Sequence, residues 1–199
     1  MERRLQEREA RRAKLPRQPR PPAAEDESHD WAAWKAFGIG CLLLVLVAAV
    51  LIWDGRLPER FFTVGKVSEL DFKNLVRRDT PNQYLMCTNQ LCNAYIDDLP
   101  PIYGANVFEV RKAWEIMLRG EPRVKELQRN ADATQIDYVQ RSAFWRFPDI
   151  ITIRFIASGE RKTTIAIYSR SVYGQGDFGV NKARIRAWIA KLNSMLPLG

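Results

Sequence analysis

An uncharged run of eighteen residues, AFGIGCLLLVLVAAVLIW, occupies positions 36–53. As an α-helix it would rise about 27 Å, close to the roughly 30 Å hydrocarbon thickness of a bilayer. Trp31, Trp34 and Trp53 bracket it, as aromatic residues do at membrane interfaces. A buried core helix of this length usually keeps a polar face, which this run lacks. We therefore expect residues 36–53 to form a transmembrane helix.

The sequence on either side of this run predicts its orientation. Nine Lys or Arg residues precede it, whereas four lie in the twenty residues that follow. The positive-inside rule then places the N-terminus in the cytoplasm and residues 54–199 in the periplasm of a bacterial cell. No small-residue cleavage site follows Trp53, which favours an uncleaved anchor over a signal peptide.

Composition predicts three further regions around the anchor. Residues 1–35 are basic, and the segment PRQPRPPAAEDESHD is rich in proline and charge, so we expect a largely disordered cytoplasmic tail. Residues 54–105 show few regular periods and predict an irregular periplasmic arm. Residues 106–199 alternate between helical and strand-like patterns and predict a folded periplasmic domain.

The predicted order of elements in this domain is a helix, then strands, then a second helix. Asn106 is a suitable N-cap for a helix over Val107–Arg119, and a final helix begins at or just before Asn181. Four strand-like runs lie between them: RVKELQRN, QIDYVQRS, IITIRFIA and KTTIAIYSR. Short turns make the sheet antiparallel. The expected fold class is therefore α+β: a two-layer domain with a mainly antiparallel four-stranded sheet and two helices, preceded by one transmembrane helix.

The helices should cover one face of that sheet. The other face would carry four large polar or basic side chains: Arg141, Arg154, Tyr168 and Arg170. It is a candidate binding surface unless the arm covers it.

The stretch GQGDFG, residues 174–179, matches the phosphate-binding pattern G-x-G-x-x-G letter for letter. A dinucleotide-binding fold needs a second parallel strand after the following helix, and residues 180–199 contain only a helical pattern. A periplasmic location also offers few nucleotides. We therefore expect a tight turn between the last strand and the last helix.

Residue types restrict catalysis and metal binding. The single histidine, His29, precedes the apolar run, so Ser–His and Cys–His catalysis are not expected in the periplasmic part. Cys87 and Cys92 supply too few ligands for a zinc site. An oxidising compartment favours a disulfide between them, with two free thiols as the alternative. We predict no catalytic residues, no metal and no cofactor.

Several motifs in the C-terminal half resemble a known bacterial family. They include a Phe-Pro-Asp turn, a Ser-Arg-Ser segment, the pattern Gly-x-x-Asp-x-Gly-x-Asn, and an Arg on the last helix. The matching positions are Ser169, Arg170, Ser171, Gly174, Asp177, Gly179, Asn181 and Arg184. Over about residues 80–193 the chain resembles the family catalogued as domain of unknown function 1499. The resemblance implies a domain and no activity.

Two interpretations of this segment stay open. In one, it is a structural corner: Asp177 and Asn181 accept from free N–H groups at the helix start, and Arg170 or Arg184 pairs with Asp177. In the other, the same residues form the rim of a pocket for an anionic or polar ligand: Arg170, Ser171, Asp177, Asn181 and Arg184.

For the whole chain we expect a single-pass inner-membrane protein and not an enzyme. Its extracytoplasmic domain would act as an accessory subunit that contacts a membrane or envelope protein. The alternative is a periplasmic domain that binds or senses a small anion or a lipid headgroup. Besides the lipid bilayer, a protein partner is expected and nucleic acid is not.

Overall fold

The computed structural model describes residues 28–53 and 56–199 of the 199-residue chain. Residues 1–27 of the predicted cytoplasmic tail (residues 1–35) lie outside the described residues. The described residues divide into two units, the first ending at Leu46 and the second spanning Val47–Gly199.

Helix α1 spans Ser28–Trp53. Its segment Ala33–Leu51 is long and apolar enough to cross a membrane, and the protein buries none of it. The helix begins eight residues before the predicted boundary at position 36. The predicted segment began after Lys35 because the uncharged run begins there. A helix can start earlier, since a charged side chain such as that of Lys35 is well tolerated inside it. The Lys35 ammonium lies 3.6 Å from the centre of the Trp31 ring.

The second unit is an α+β domain. A short helix, α2 (Arg56–Phe61), follows the anchor. The other helices are α3 (Val107–Arg119) and α4 (Val180–Met195). The strands are β1 (Gln83–Met86), β2 (Ile102–Tyr103), β3 (Val124–Arg129), β4 (Gln135–Arg141), β5 (Pro148–Gly159) and β6 (Lys162–Ser171).

The sheet has six strands, so the prediction of four was too low. Its order is β1-β6-β5-β4-β3, and β2 also pairs with β6. All pairings are antiparallel, as predicted. The two extra strands come from the predicted arm, which is therefore part of the sheet. Both pair with the long strand β6, far away in the sequence.

The core lies on both faces of this sheet. Helices α3 and α4 cover one face, where Trp114 and Trp188 meet edge to face with ring centres 5.6 Å apart. The arm covers much of the other face with a smaller apolar cluster around Phe72 and Leu85. Tyr168 is 2% exposed there. The predicted open binding face is thus largely closed, because the arm supplies the apolar side chains that bury it.

Candidate functional site

The site begins at the corner between β6 and α4, which the sequence predicted as a tight turn. Gly174, Phe178 and Gly179 all have positive φ angles, at 81°, 53° and 78°. Glycine adopts this conformation without steric cost, whereas a side chain such as that of Phe178 is strained there. The corner therefore reverses the chain over residues 172–179 and starts the last helix.

Asp177 provides the cap for this helix. The residue at the N-cap position is Gly179, which has no side chain to cap with. The Asp177 carboxylate instead accepts hydrogen bonds from the backbone N–H groups of Gly179 at 3.0 Å and Asn181 at 2.8 Å. Burial acts to raise the pKa of Asp177, but these backbone bonds and one from the Asn181 side chain prevail and lower it.

Asn181 is the centre of a buried polar network. Its side-chain amide donates to the backbone oxygen of Asn82 at 3.1 Å, to Ser171 Oγ at 3.1 Å and to Asp177 at 2.8 Å. Its Oδ1 accepts from Ser169 Oγ at 2.5 Å. The residue is fully buried. It therefore ties the strand, the corner and the arm together.

Arg184 extends this network along the first turn of α4. Its Nη1 donates to Asn181 Oδ1 at 2.7 Å and to Ser169 Oγ at 3.0 Å. Its Nη2 forms a salt bridge of 2.5 Å with Asp149, and both side chains are mostly buried. The expected pairing of Arg184 with Asp177 is therefore wrong. Asp149 is the second residue of β5, which begins beside the start of α4, and it therefore lies within ion-pair distance of Arg184.

Arg170 lies apart from this network. Successive side chains of a strand point to opposite faces, so Ser169 and Ser171 face the network and Arg170 faces away. The Arg170 guanidinium donates to Thr152 Oγ1 at 3.2 Å and lies 4.9 Å from the centre of the Tyr168 ring. Burial lowers its pKa.

No carboxylate of the described residues lies within 4.0 Å of the Arg170 guanidinium. The expected pair with Asp177 is therefore wrong for Arg170 as well. The eight motif residues named from the sequence thus fall into a buried network, an exposed loop and one separate arginine.

A groove of about 520 Å³ lies between the arm and the exposed loop. We call it the corner groove. Its lining residues are Pro81, Gln83, Tyr84, Tyr95, Asp97, Gly176, Asp177, Phe178, Gly179 and Lys182. Only Asp177 and Gly179 among these were predicted as site residues from the sequence. Tyr84 and Tyr95 come from the arm, and no local pattern could indicate where the arm packs.

Charge and shape favour some ligands for the corner groove over others. Two carboxylates line it, Asp97 and Asp177, against the single cation Lys182. Asp97 is already engaged by Arg77 at 2.8 Å. With that pair included, the groove has no surplus of positive charge that would favour a small anion. Its open form and tyrosine lining suit a peptide segment.

The structure pairs Cys87 with Cys92 in a disulfide. Both are buried in the smaller apolar cluster under the arm. Across residues 28–53 and 56–199, no group of three His, Cys, Asp or Glu side chains is arranged to hold a metal ion. The disulfide thus braces the arm.

Comparison with known proteins identifies the domain. Residues 78–192 match the family described as protein of unknown function (DUF1499). The chain belongs to this family. The matched region contains the whole buried network, from Asn82 in the arm to Arg184 in α4, and both rims of the corner groove. A search of curated proteins found no match.

Proposed function

We propose that this member of the family is a single-pass inner-membrane protein with an interaction domain in the periplasm. Its N-terminus lies in the cytoplasm, and the domain serves as an accessory subunit of a membrane or envelope complex. The corner groove receives a segment of the partner protein. The proposal includes no catalytic reaction.

Phe178 carries this proposal. Its side chain is fully exposed at the rim of the corner groove, and its φ angle is 53°. A left-handed conformation costs a non-glycine residue about 1 kcal/mol or more. An aromatic ring that buries nothing in the folded chain gives no stability in return. Burial of the ring by a partner protein would offset the conformational cost at Phe178, since aromatic residues are frequent anchors of protein interfaces.

The buried network supports the same proposal. The side-chain hydrogen bonds of Asn181 and Arg184 connect the strand, the loop and the arm, so these residues hold the loop in place. Gly174 and Gly179 permit the turn. The motif therefore acts as a rigid support that presents Phe178.

Purification of the tagged full chain in mild detergent tests the proposal. We expect one defined complex with the wild-type chain, and loss of that complex with Phe178→Ser. The melting temperature of the variant should be unchanged or higher, because the substitution removes an exposed ring. Phe108→Ser is the matched control, since Phe108 is 61% exposed on the first turn of α3.

Two results would count against the proposal. If the complex survives Phe178→Ser, the partner does not bind in the corner groove. If no defined complex appears in any of several mild detergents, the role of accessory subunit is wrong.

The alternative function is a domain that binds or senses a small anion or a lipid headgroup, and Arg170 favours it. Its largely buried guanidinium has no carboxylate within 4.0 Å among the described residues, and the buried Asp137 is connected to it only through Thr152 Oγ1, so positive charge remains to attract an anion. This function predicts that inorganic phosphate raises the melting temperature of the wild-type chain. Arg170→Gln should abolish that shift without lowering the melting temperature measured in the absence of phosphate.

A further inference from the structure

The loop between β4 and β5, residues 142–147, is fixed by its own hydrogen bonds. The Ser142 N–H donates to the Phe147 backbone oxygen at 2.9 Å, and the Phe147 N–H donates to Ser142 Oγ at 3.0 Å. Arg141 Nη1 donates to the Arg146 backbone oxygen at 2.8 Å. We call residues 143–146 the loop tip. These bonds fix the base of the loop on both sides of the tip.

The loop tip presents two large aromatic side chains to solvent. Phe144 is 62% exposed and Trp145 is 54% exposed. Their ring centres are 5.0 Å apart in an edge-to-face arrangement. Contiguous exposed apolar surface marks contacts with other proteins or with membranes. Tryptophan in particular is enriched where a membrane meets water.

The chain that leaves α1 reaches the domain at the base of this loop. The Phe62 ring centre lies 4.4 Å from that of Phe147, and the Phe62 backbone oxygen accepts from Arg141 at 2.9 Å. The next residue is held too, since the Tyr173 hydroxyl donates to the Thr63 backbone oxygen at 2.8 Å. The base of the loop is therefore the attachment point of the anchor.

The connection from the anchor to this point is short. Eight residues separate Trp53 from Phe62, and six of them form α2. A helix advances 1.5 Å per residue and an extended chain at most about 3.5 Å, so the connection spans about 20 Å or less. The loop therefore lies within reach of the bilayer surface on that side.

Basic side chains surround the same loop. Arg60 and Arg123 are exposed, and Arg146 is half-buried. Two carboxylates of the adjoining elements are paired with arginines: Glu59 lies 3.9 Å from Arg141, and Asp149 pairs with Arg184. Basic residues beside a membrane surface are attracted to anionic headgroups by roughly 1 kcal/mol each.

We infer that the loop tip is a second membrane contact, in which Phe144 and Trp145 lie in the interface of the bilayer and the nearby arginines face anionic headgroups. The contact rests on α1 crossing the bilayer, as in the proposed function, and does not depend on the corner groove. It limits the rotation of the domain about its anchor. Interfacial aromatic side chains insert only about 5–10 Å, so the fold stays outside the hydrocarbon core.

Fluorescence quenching in nanodiscs tests this inference on the full chain. A Cys41→Ser background leaves single introduced cysteines for an environment-sensitive label, because Cys87 and Cys92 form a disulfide. Labels are placed at Ala143→Cys beside the aromatic pair and at Ser158→Cys near the far end of β5. About ten residues of strand, or roughly 33 Å, separate the two positions. A third label, at Leu43→Cys, reports on α1.

The nanodiscs contain phosphatidylglycerol and phosphatidylcholine, with or without brominated acyl chains. We expect brominated lipid to quench the labels at positions 43 and 143 and to leave the label at 158 bright. Replacing Phe144 and Trp145 by serine should abolish quenching at position 143. This change leaves the fold intact because both rings are mostly exposed.

Three results would overturn the inference, each for a different reason. A bright label at 143 beside a quenched label at 43 means that the anchor spans the bilayer but the tip does not touch it. Quenching at 143 that persists without the aromatic pair means that proximity alone brings the loop to the lipid. Bright labels at both 43 and 143 mean that α1 does not lie in the bilayer, so both the inference and the proposed topology are wrong.

Discussion

Asp177 performs the task that an N-cap side chain performs in most helices, although it stands two positions before the cap. The cap itself is a glycine that the reversal of the chain requires. Separating the two roles lets one residue supply the turn and another supply the acceptor. The same carboxylate also binds the Asn181 side chain, so helix start and buried network depend on one group.

Loss of the Asp177 charge should weaken the domain in acid. Its folded-state pKa is lowered, so its contribution to stability is present above the unfolded pKa of about 4 and is lost as pH falls through the folded value. We expect Asp177→Asn to destabilise the domain at neutral pH and to reduce the fall in melting temperature below pH 4. Melting curves measured from pH 7 to pH 2.5 check this.

Asp79→Asn is the charge-matched control, because Asp79 is exposed. It should leave the melting temperature at neutral pH close to that of the wild-type chain. Equal acid sensitivity in the wild type and in Asp177→Asn would refute the capping role.

At the level of elements, α3 and α4 begin in different ways. Helix α3 starts with a capping box: Asn106 accepts from the Glu109 N–H, and Glu109 accepts from the Asn106 N–H, both at 2.9 Å. This arrangement is local and needs no other part of the chain. Helix α4 takes its acceptor from the loop and its network partners from the arm. One helix start is therefore autonomous and the other depends on tertiary structure.

Asn106→Ala should lower the free energy of unfolding by about 1 kcal/mol, the usual cost of losing an N-cap. Urea denaturation of the full chain in detergent measures this difference. Asn106→Ser retains a capping oxygen and should restore most of the stability. A larger loss in the serine variant than in the alanine variant would show that Asn106 acts through another contact.

The same contrast explains what the sequence could predict. Helix α3 and strands β4 to β6 carry periodic patterns, and β3, although its pattern is weak, follows α3 and pairs with the next strand in the sequence. These elements could therefore be predicted from local sequence. Strand β1 has four residues, all buried, and pairs with residues about eighty positions later. Such a strand has no alternation to recognise. Its partner could not be deduced from a single sequence.

The candidate site was predictable to a similar extent. The Ser-Arg-Ser alternation already implies that Arg170 faces away from its two neighbours. The pair between Arg184 and Asp149 was not predictable, because it depends on where β5 begins relative to α4. The corner groove required the arm to be in place, so the role of Phe178 emerged only from the fold.

At the scale of the whole chain, the distribution of basic residues on the two sides of α1 is the main support for the proposed topology. The nine basic residues before the uncharged run have no comparable group after it. The domain beyond carries a disulfide, which suits an oxidising compartment. Both features favour a cytoplasmic N-terminus and a periplasmic domain.

Alkaline phosphatase fused after Gly199 should be active in cells, because the enzyme folds only in an oxidising compartment. Activity of the fusion, normalised to its abundance, is the measurement. A matched fusion of β-galactosidase at the same position should be inactive. The opposite pair of results would place the domain in the cytoplasm.

The pairing of the arm with β6 has a consequence for biogenesis. Asn82 and Asn181 are hydrogen-bonded across ninety-nine positions, and Ile102 accepts from the Gly199 N–H at 2.9 Å. Closing loops of this length is entropically costly and slows folding. A nascent chain exposes the arm long before β6 and α4 have been synthesised. The arm therefore stays unpaired during synthesis, and the domain completes its fold only after α4 has left the ribosome.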